Sequence, residues 1–156
     1  MPGSPGLTDL TPLLAPRSIA IVGASERSGA GSNSIENLRR IGFSGRIYPV
    51  NPNYPRVHGM PCYPSIEAIP ATEDIDCLAI LLGSSMILPL LEQAAARGIS
   101  AAWAFASGFA EVGDDGRRAQ AQLHELCARH GIRFCGPNCV GFVNVHARAC
   151  ACSAPL

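Results

Sequence analysis

Ser18-Ile-Ala-Ile-Val-Gly-Ala-Ser-Glu-Arg-Ser-Gly-Ala-Gly-Ser32 opens with a short apolar run and breaks at Gly23. It then passes Gly29 and Gly31 into a segment carrying Ile35, Leu38 and Ile41 at helical spacing. A short apolar run closed by glycine reads as a strand buried on both faces. The residues that follow predict a helix over 32–41, stopped by Gly42. Strand, glycine-rich turn and helix in this order form the first half of a crossover unit. Arg46–Val50 is strand-like, with Pro49 suited to an edge or a strand end. A proline-rich loop and a helical turn near Ser65–Ile69 lead to a second continuous apolar strand, Cys77–Leu82.

The alternation continues to the end of the chain. Ser84 or Ser85 can cap a helix reaching Arg97, with Gly98 as its stop. Pro89 is tolerable there because it falls in or beside the first turn. Ala101–Phe105 is a further strand. Asp114–His130 is the clearest helix, with two aspartates at its positive end and Gly131 closing it. Ala119, Leu123, Leu126, Cys127 and His130 share its apolar face. Ile132–Cys135 is a short last strand. Five strands alternating with helices predict an α/β fold, a Rossmann-like doubly wound parallel sheet with helices on both faces. Right-handed crossovers then suggest the strand order three-two-one-four-five, with the first strand central.

Composition narrows the function. The 156 residues are 47% hydrophobic and 15% charged, and the mean hydropathy is +0.18, which argues against intrinsic disorder. Twelve arginines balance twelve acidic residues and there is no lysine, so no long-range positive field exists to attract nucleic acid or an anionic membrane. No apolar run approaches a membrane span, and no secretory signal is visible in the first residues, so a cytoplasmic location is expected. Seven cysteines without a CxxC pair read as reduced and mostly structural. Cys135-x3-Cys139 and Cys150-x-Cys152 are weak metal spacings, so no metal site is assigned.

Ligands of such sheets bind at the carboxyl ends of the strands. Here those ends are rich in Gly, Ser and Asn, which let a backbone approach a ligand and offer N–H donors. The Gly23, Gly29 and Gly31 loop ahead of a helix suits a phosphate. Two common fingerprints are excluded. A dinucleotide loop needs glycine two residues after Gly23, where Ser25 stands, and an acid after the second strand, where Val50-Asn51-Pro52 stands. A Walker loop needs a lysine, and there is none.

Four segments in order, RSIAIVGASERSGAGSNSIENLRRIGFSGRIYPVNPNY (17–54), CYPSIEAIP (62–70), SGFAEVGDDG (107–116) and GIRFCGPNCVGFVN (131–144), carry a family resemblance. The chain resembles the N-terminal CoA-binding domain of NDP-forming acyl-CoA synthetases, relatives of the succinyl-CoA synthetase alpha subunit. The same domain begins some protein acetyltransferases and acid–thiol ligases for aromatic acids. The resemblance implies that Gly23, Ser25, Glu26, Arg27, Ser28, Gly29 and Gly31 meet the phosphates and adenosine of CoA. Arg27, the only cation of that loop, is the phosphate partner of choice. Asn51, Pro52, Asn53 and Tyr54 would lie along the nucleotide, with Tyr54 as a stacking surface. Ser84, Ser107, Gly108 and Asn138 complete the implied contacts. Leu82–Ser85 departs from the family's more usual Val-Pro-Ala. No catalytic residue is assigned. Cys139 has no histidine nearby in sequence to form a thiolate, and CoA brings its own thiol, so a structural cysteine in a tight turn is the preferred reading.

The resemblance also implies a division of labour. Residues 1–16, with four prolines, are expected as a loose arm, 17–145 as the binding domain, and 146–156 as a connection towards a second domain. The full-length protein would be an acid–CoA ligase using ATP or GTP with Mg, held by other domains in cis or in a second subunit. This chain alone would bind CoA without catalysis; a homo-oligomer is compatible with it. The alternatives are a stand-alone CoA-binding module and the CoA-binding portion of a protein acetyltransferase.

Overall fold

The computed structural model describes residues 8–156, so the first seven residues of the expected arm lie outside the described residues. A one-turn helix α1 (Thr11–Leu14) precedes β1 (Ser18–Val22), α2 (Ala30–Arg40) and β2 (Arg46–Val50). A small hairpin, β3 (Arg56–Val57) and β4 (Met60–Pro61), is followed by β5 (Cys77–Ile80), α3 (Ile87–Ala96) and β6 (Ala101–Ala104). The chain ends with α4 (Asp114–His130), β7 (Arg133–Cys135), β8 (Gly141–Asn144) and β9 (Ala149–Cys152).

The main sheet is parallel, in the order β2-β1-β5-β6-β7. This corrects the expected order. The third main strand is central, not the first. Both orders satisfy right-handed crossovers, so handedness cannot choose between them. Strand character does. Pro49 donates no ladder bond and tolerates the outer position that β2 occupies, whereas all four residues of β5 are buried and need neighbours on both sides. The 51–76 connection therefore passes from β2 over β1 to its far side. Part of it lies along the outer edge of β2, where the Tyr63 amide donates to Pro49 O at 2.9 Å and Asn51 N–H to Tyr63 O at 2.9 Å.

Alternation within the strands makes two cores. Ile19 and Ile21 join Cys77, Ala79, Ala101 and Trp103 beneath α1 and α2. Ala20 and Val22 join Leu78, Ile80, Ala102 and Ala104 beneath α3 and α4. Burying one such Leu or Ile side chain contributes about 1.5–3 kcal/mol. α4 begins and ends where its aspartates and Gly131 (φ 65°) predict. His130 is exposed, however: the buried residues of the helix are Gly116, Leu123, Leu126 and Cys127, and the stripe ends before the last turn. α3 is entered through a 3₁₀ turn at Ser84–Met86 with no side-chain cap bond, so neither Ser84 nor Ser85 caps it.

Among the described residues, the segments on either side of the main sheet pack against the domain. Leu13 of α1 is buried against the α2 face. β8 and β9 pair antiparallel and pack on α2, with Ala149, Cys150 and Ala151 buried. Ser34 and Asn37 of α2 donate to Cys152 O at 3.1 and 3.0 Å, and Asn37 donates again to Ala154 O at 2.7 Å. No helix among the described residues is long and apolar enough to cross a membrane.

Candidate functional site

With this strand order the chain turns away in opposite directions after β1 and β5, which opens a crevice at their carboxyl ends. The loop 23–29 lies there, and neither Gly23 at its start nor Gly31 just beyond it has room for a side chain. A Cβ on Gly23 (φ 92°) would stand 2.6 Å from Leu81 O, and one on Gly31 would stand 2.1 Å from Gly23 O. The start of α2 is thus pressed against the end of β1. Its N-cap is Gly29, with no side-chain cap bond and no acidic residue in the first turn. First-turn N–H groups left in this way, at the positive end of an eleven-residue helix, suit an anion. A phosphate group therefore fits the cradle.

The loop's side chains divide between shaping it and facing outward. Ser25 Oγ accepts the Arg27 N–H at 2.9 Å, which fixes the turn. Arg27 is exposed, and no partner for its guanidinium is found among the described residues. Ser28 and Gly29 are exposed, and Gly31 is buried. Glu26 is turned aside and accepts the amide of His58 at 2.5 Å. His58 and Gly59, at φ 48° and 76°, form the two-residue turn of the β3–β4 hairpin. The His58 Nε2 lies 2.9 Å from Ser32 Oγ, and Arg39 donates to its carbonyl at 2.6 Å. This clasp is scarcely visible in the sequence. Its only local signal is His-Gly set between two short strand-like pairs.

Two cavities flank the loop. One of about 410 Å³ is lined by Gly23, Asn51, Pro52 and Asn53 together with Val22, Val50, Ile66, Leu82, Met86 and Leu90. The other, about 730 Å³, is lined by Leu81, Leu82, Gly83, Phe105, Ala106, Ser107 and Asn138. Leu82 is common to both. Asn51 holds the first in shape: its Nδ2 donates to Ala24 O at 2.8 Å and its Oδ1 accepts the Asn53 amide at 2.9 Å. Tyr54 is half-buried and packs against the core under α2. Ser84 stands against Gly108, where a Cβ would lie 2.8 Å from Ser84 Oγ.

Glu111, which the sequence did not single out, closes the loop after β6. Its carboxylate accepts the amides of Gly108 at 2.6 Å and Phe109 at 3.2 Å, and these backbone bonds hold it below the usual carboxylate range. The Gly108 amide is therefore engaged within the protein. Of the residues singled out from sequence, Gly23, Asn51, Pro52 and Asn53 line the first cavity and Ser107 and Asn138 the second, and Leu82, Met86 and Phe105 add an apolar lining. A further cavity of about 670 Å³ lies at the opposite end of the sheet. There Arg17 pairs with Asp76, and Arg97 donates to the carbonyls of Ile66 and Ile69, so its charges serve the fold.

A parallel α/β sheet with a glycine-rich phosphate cradle and flanking clefts at its switch point defines a nucleotide-type binding domain. The chain belongs to the CoA binding domain family, which matches residues 17–145. It is 38% identical to an ADP-forming acetate–CoA ligase II of Archaeoglobus fulgidus over 88% of this chain and 20% of that protein. It is 33% identical to the alpha subunit of the Pyrococcus furiosus ADP-forming acetate–CoA ligase II, over 85% of this chain and 28% of that one. The dinucleotide-forming acetyl-coenzyme A synthetase 1 of Ca. Korarchaeum cryptofilum, solved with phosphate and ADP, superposes with a TM-score of 0.87 at 33% identity. That match covers 96% of this chain and 32% of the other. The chain thus spans about a fifth to a third of the relatives it matches.

Proposed function

We propose that this rim holds coenzyme A and that the chain is the CoA-binding part of an ADP-forming acyl-CoA ligase. The observation that carries the reading is the uncapped start of α2, pressed against Gly23 between two cavities, in a chain of the CoA binding domain family. Gly23–Gly31 and Arg27 would take the phosphates. The cavity at Asn51–Asn53 suits the base and ribose, and the cavity at Ser107 and Asn138 suits the pantetheine arm. CoA would supply the thiol that becomes a thioester. The chain's own groups bind and orient it.

The relatives' length favours a ligase over a stand-alone module, and their names favour ATP over GTP. Nucleotide and Mg would then be held by further domains, in cis or in a partner subunit. The four histidines offer no phosphoryl carrier on this rim. His58 is tied to Ser32, and His124, His130 and His146 are exposed away from the cradle on α4 and the β8–β9 turn.

Parallel calorimetric titrations with CoA, dephospho-CoA and NAD test the reading. CoA is expected to bind more tightly than NAD. After β2 the protein presents Asn51, whose amide is committed to Ala24 and Asn53, and no carboxylate for a ribose diol. Equal or tighter binding of NAD would overturn the assignment.

A further inference from the structure

The turn between β7 and β8 brings two sulfurs together. Cys135 Sγ and Cys139 Sγ are 3.4 Å apart, and both side chains are half-buried. The pair is positioned from several sides. Cys135 stands opposite Trp103 across the β6–β7 ladder, while the Cys139 amide donates to Ala104 O at 2.9 Å. The Cys139 sulfur also receives the Gly141 N–H at 3.4 Å. Asn138, between the two cysteines in the chain, lines the larger cavity of the rim. Among the described residues no group of three or more metal-ligating side chains gathers here, so two thiols face each other without a third ligand.

We propose that Cys135 and Cys139 form a reversible dithiol–disulfide pair, a redox site set in the wall of the binding rim. The oxidant is a low-molecular-weight disulfide, RSSR. The Cys139 thiolate attacks one sulfur of RSSR, forming a mixed disulfide and releasing RS⁻. Cys135 then loses its proton, attacks Cys139 Sγ and releases the second RS⁻. Two protein thiols give up two protons and two electrons, which leave as two RSH. A dithiol reductant reverses the exchange.

The order of attack follows from the surroundings. Burial, and then the neighbouring Cys139 sulfur, pushes the Cys135 thiol up to about 11, so it resolves rather than initiates. Burial likewise pushes Cys127 up to about 11, and pushes the fully buried Cys77 higher still, which leaves those thiols inert. The pairing needs no bound CoA, so it stands or falls apart from the ligand reading.

The chain's cleavage pattern isolates the pair. With no lysine present, cutting after arginine releases Phe134–Arg148, which contains these two cysteines and no other. The whole protein is treated with oxidised glutathione, alkylated with iodoacetamide, digested and weighed. The expected peptide carries no alkyl group and is two hydrogens lighter than the reduced form. Trp103, the chain's single tryptophan, sits beside Cys135, so its emission should fall on oxidation and recover with dithiothreitol. Cys135→Ser should instead trap a lasting glutathione adduct on Cys139. A peptide that stays doubly alkylated in excess oxidised glutathione would overturn the proposal. So would a wild-type glutathione adduct that never resolves internally.

Discussion

Arg27 and Ser25 sit two residues apart and do different work. Ser25 accepts the Arg27 backbone amide and so shapes the loop, while the Arg27 side chain is exposed at its surface. Arg27→Ala should therefore weaken CoA binding roughly ten- to a hundred-fold, the worth of a charge-assisted hydrogen bond at about 1.5–3 kcal/mol. Binding of dephospho-CoA should fall less, and titration of both ligands checks the difference. Unchanged affinity for both would return Arg27 to the role of a solvated loop residue. The glycines of this loop were legible in sequence as a tight strand-to-helix turn. That Gly31 cannot carry a Cβ was not, because the obstacle is the carbonyl of Gly23, brought back by the fold.

At the scale of elements, β9 behaves as part of the domain because α2 supplies its partners. Asn37 is buried in the middle of α2, donates to Cys152 O and Ala154 O, and accepts the Leu156 amide at 3.2 Å. Asn37→Ala leaves Ala154 O and the Leu156 amide without their side-chain partner and Cys152 O with Ser34 alone, and each buried group left unpaired costs about 1–3 kcal/mol. A lower urea midpoint and faster amide exchange across Ala149–Cys152 are expected. Exchange as slow as in the wild type would show that the hairpin is held by its apolar contacts alone. Helix α4 was legible to the residue from its own aspartates and glycine. β9 was not, since Ala-Cys-Ala-Cys is too short and bland to announce a strand, and its reason for pairing lies on a distant helix.

For the molecule as a whole, Asp76 fastens the start of β1 to the start of β5. It accepts the Arg17 amide at 2.7 Å and the Arg17 guanidinium at 3.2 and 3.3 Å, while its own amide donates to Ser18 Oγ at 2.9 Å. Burial raises the Asp76 carboxyl, but the side-chain and backbone bonds from Arg17 together outweigh burial and hold it below its ordinary value. A depressed carboxyl contributes stability that is complete above its unfolded value, about pH 4, and lost as pH falls through the lower folded value. Asp76→Asn should accordingly lower stability at neutral pH and flatten the acid limb of the unfolding profile. Parallel pH titrations of unfolding for both proteins would show it, and an acid limb of unchanged slope would count against the assignment.

By itself, the sequence determined the five strands of the main sheet, the three long helices, the doubly wound parallel fold and the Gly-, Ser- and Asn-rich turns at its carboxyl ends. Those features depend on local periodicity and on turn residues such as Gly23, Gly42 and Gly131, which act within a few neighbours. Only the tertiary structure decided which strand lies in the centre. Crossover handedness admits two orders, and the choice rests on packing β5 between neighbours and leaving Pro49 at an edge. The same holds for His58 against Ser32, Glu111 beneath Gly108, β9 on α2 and the facing sulfurs of Cys135 and Cys139. Two of these contacts join residues far apart in the chain. The two that are close in sequence are made by turns whose course other strands and loops impose.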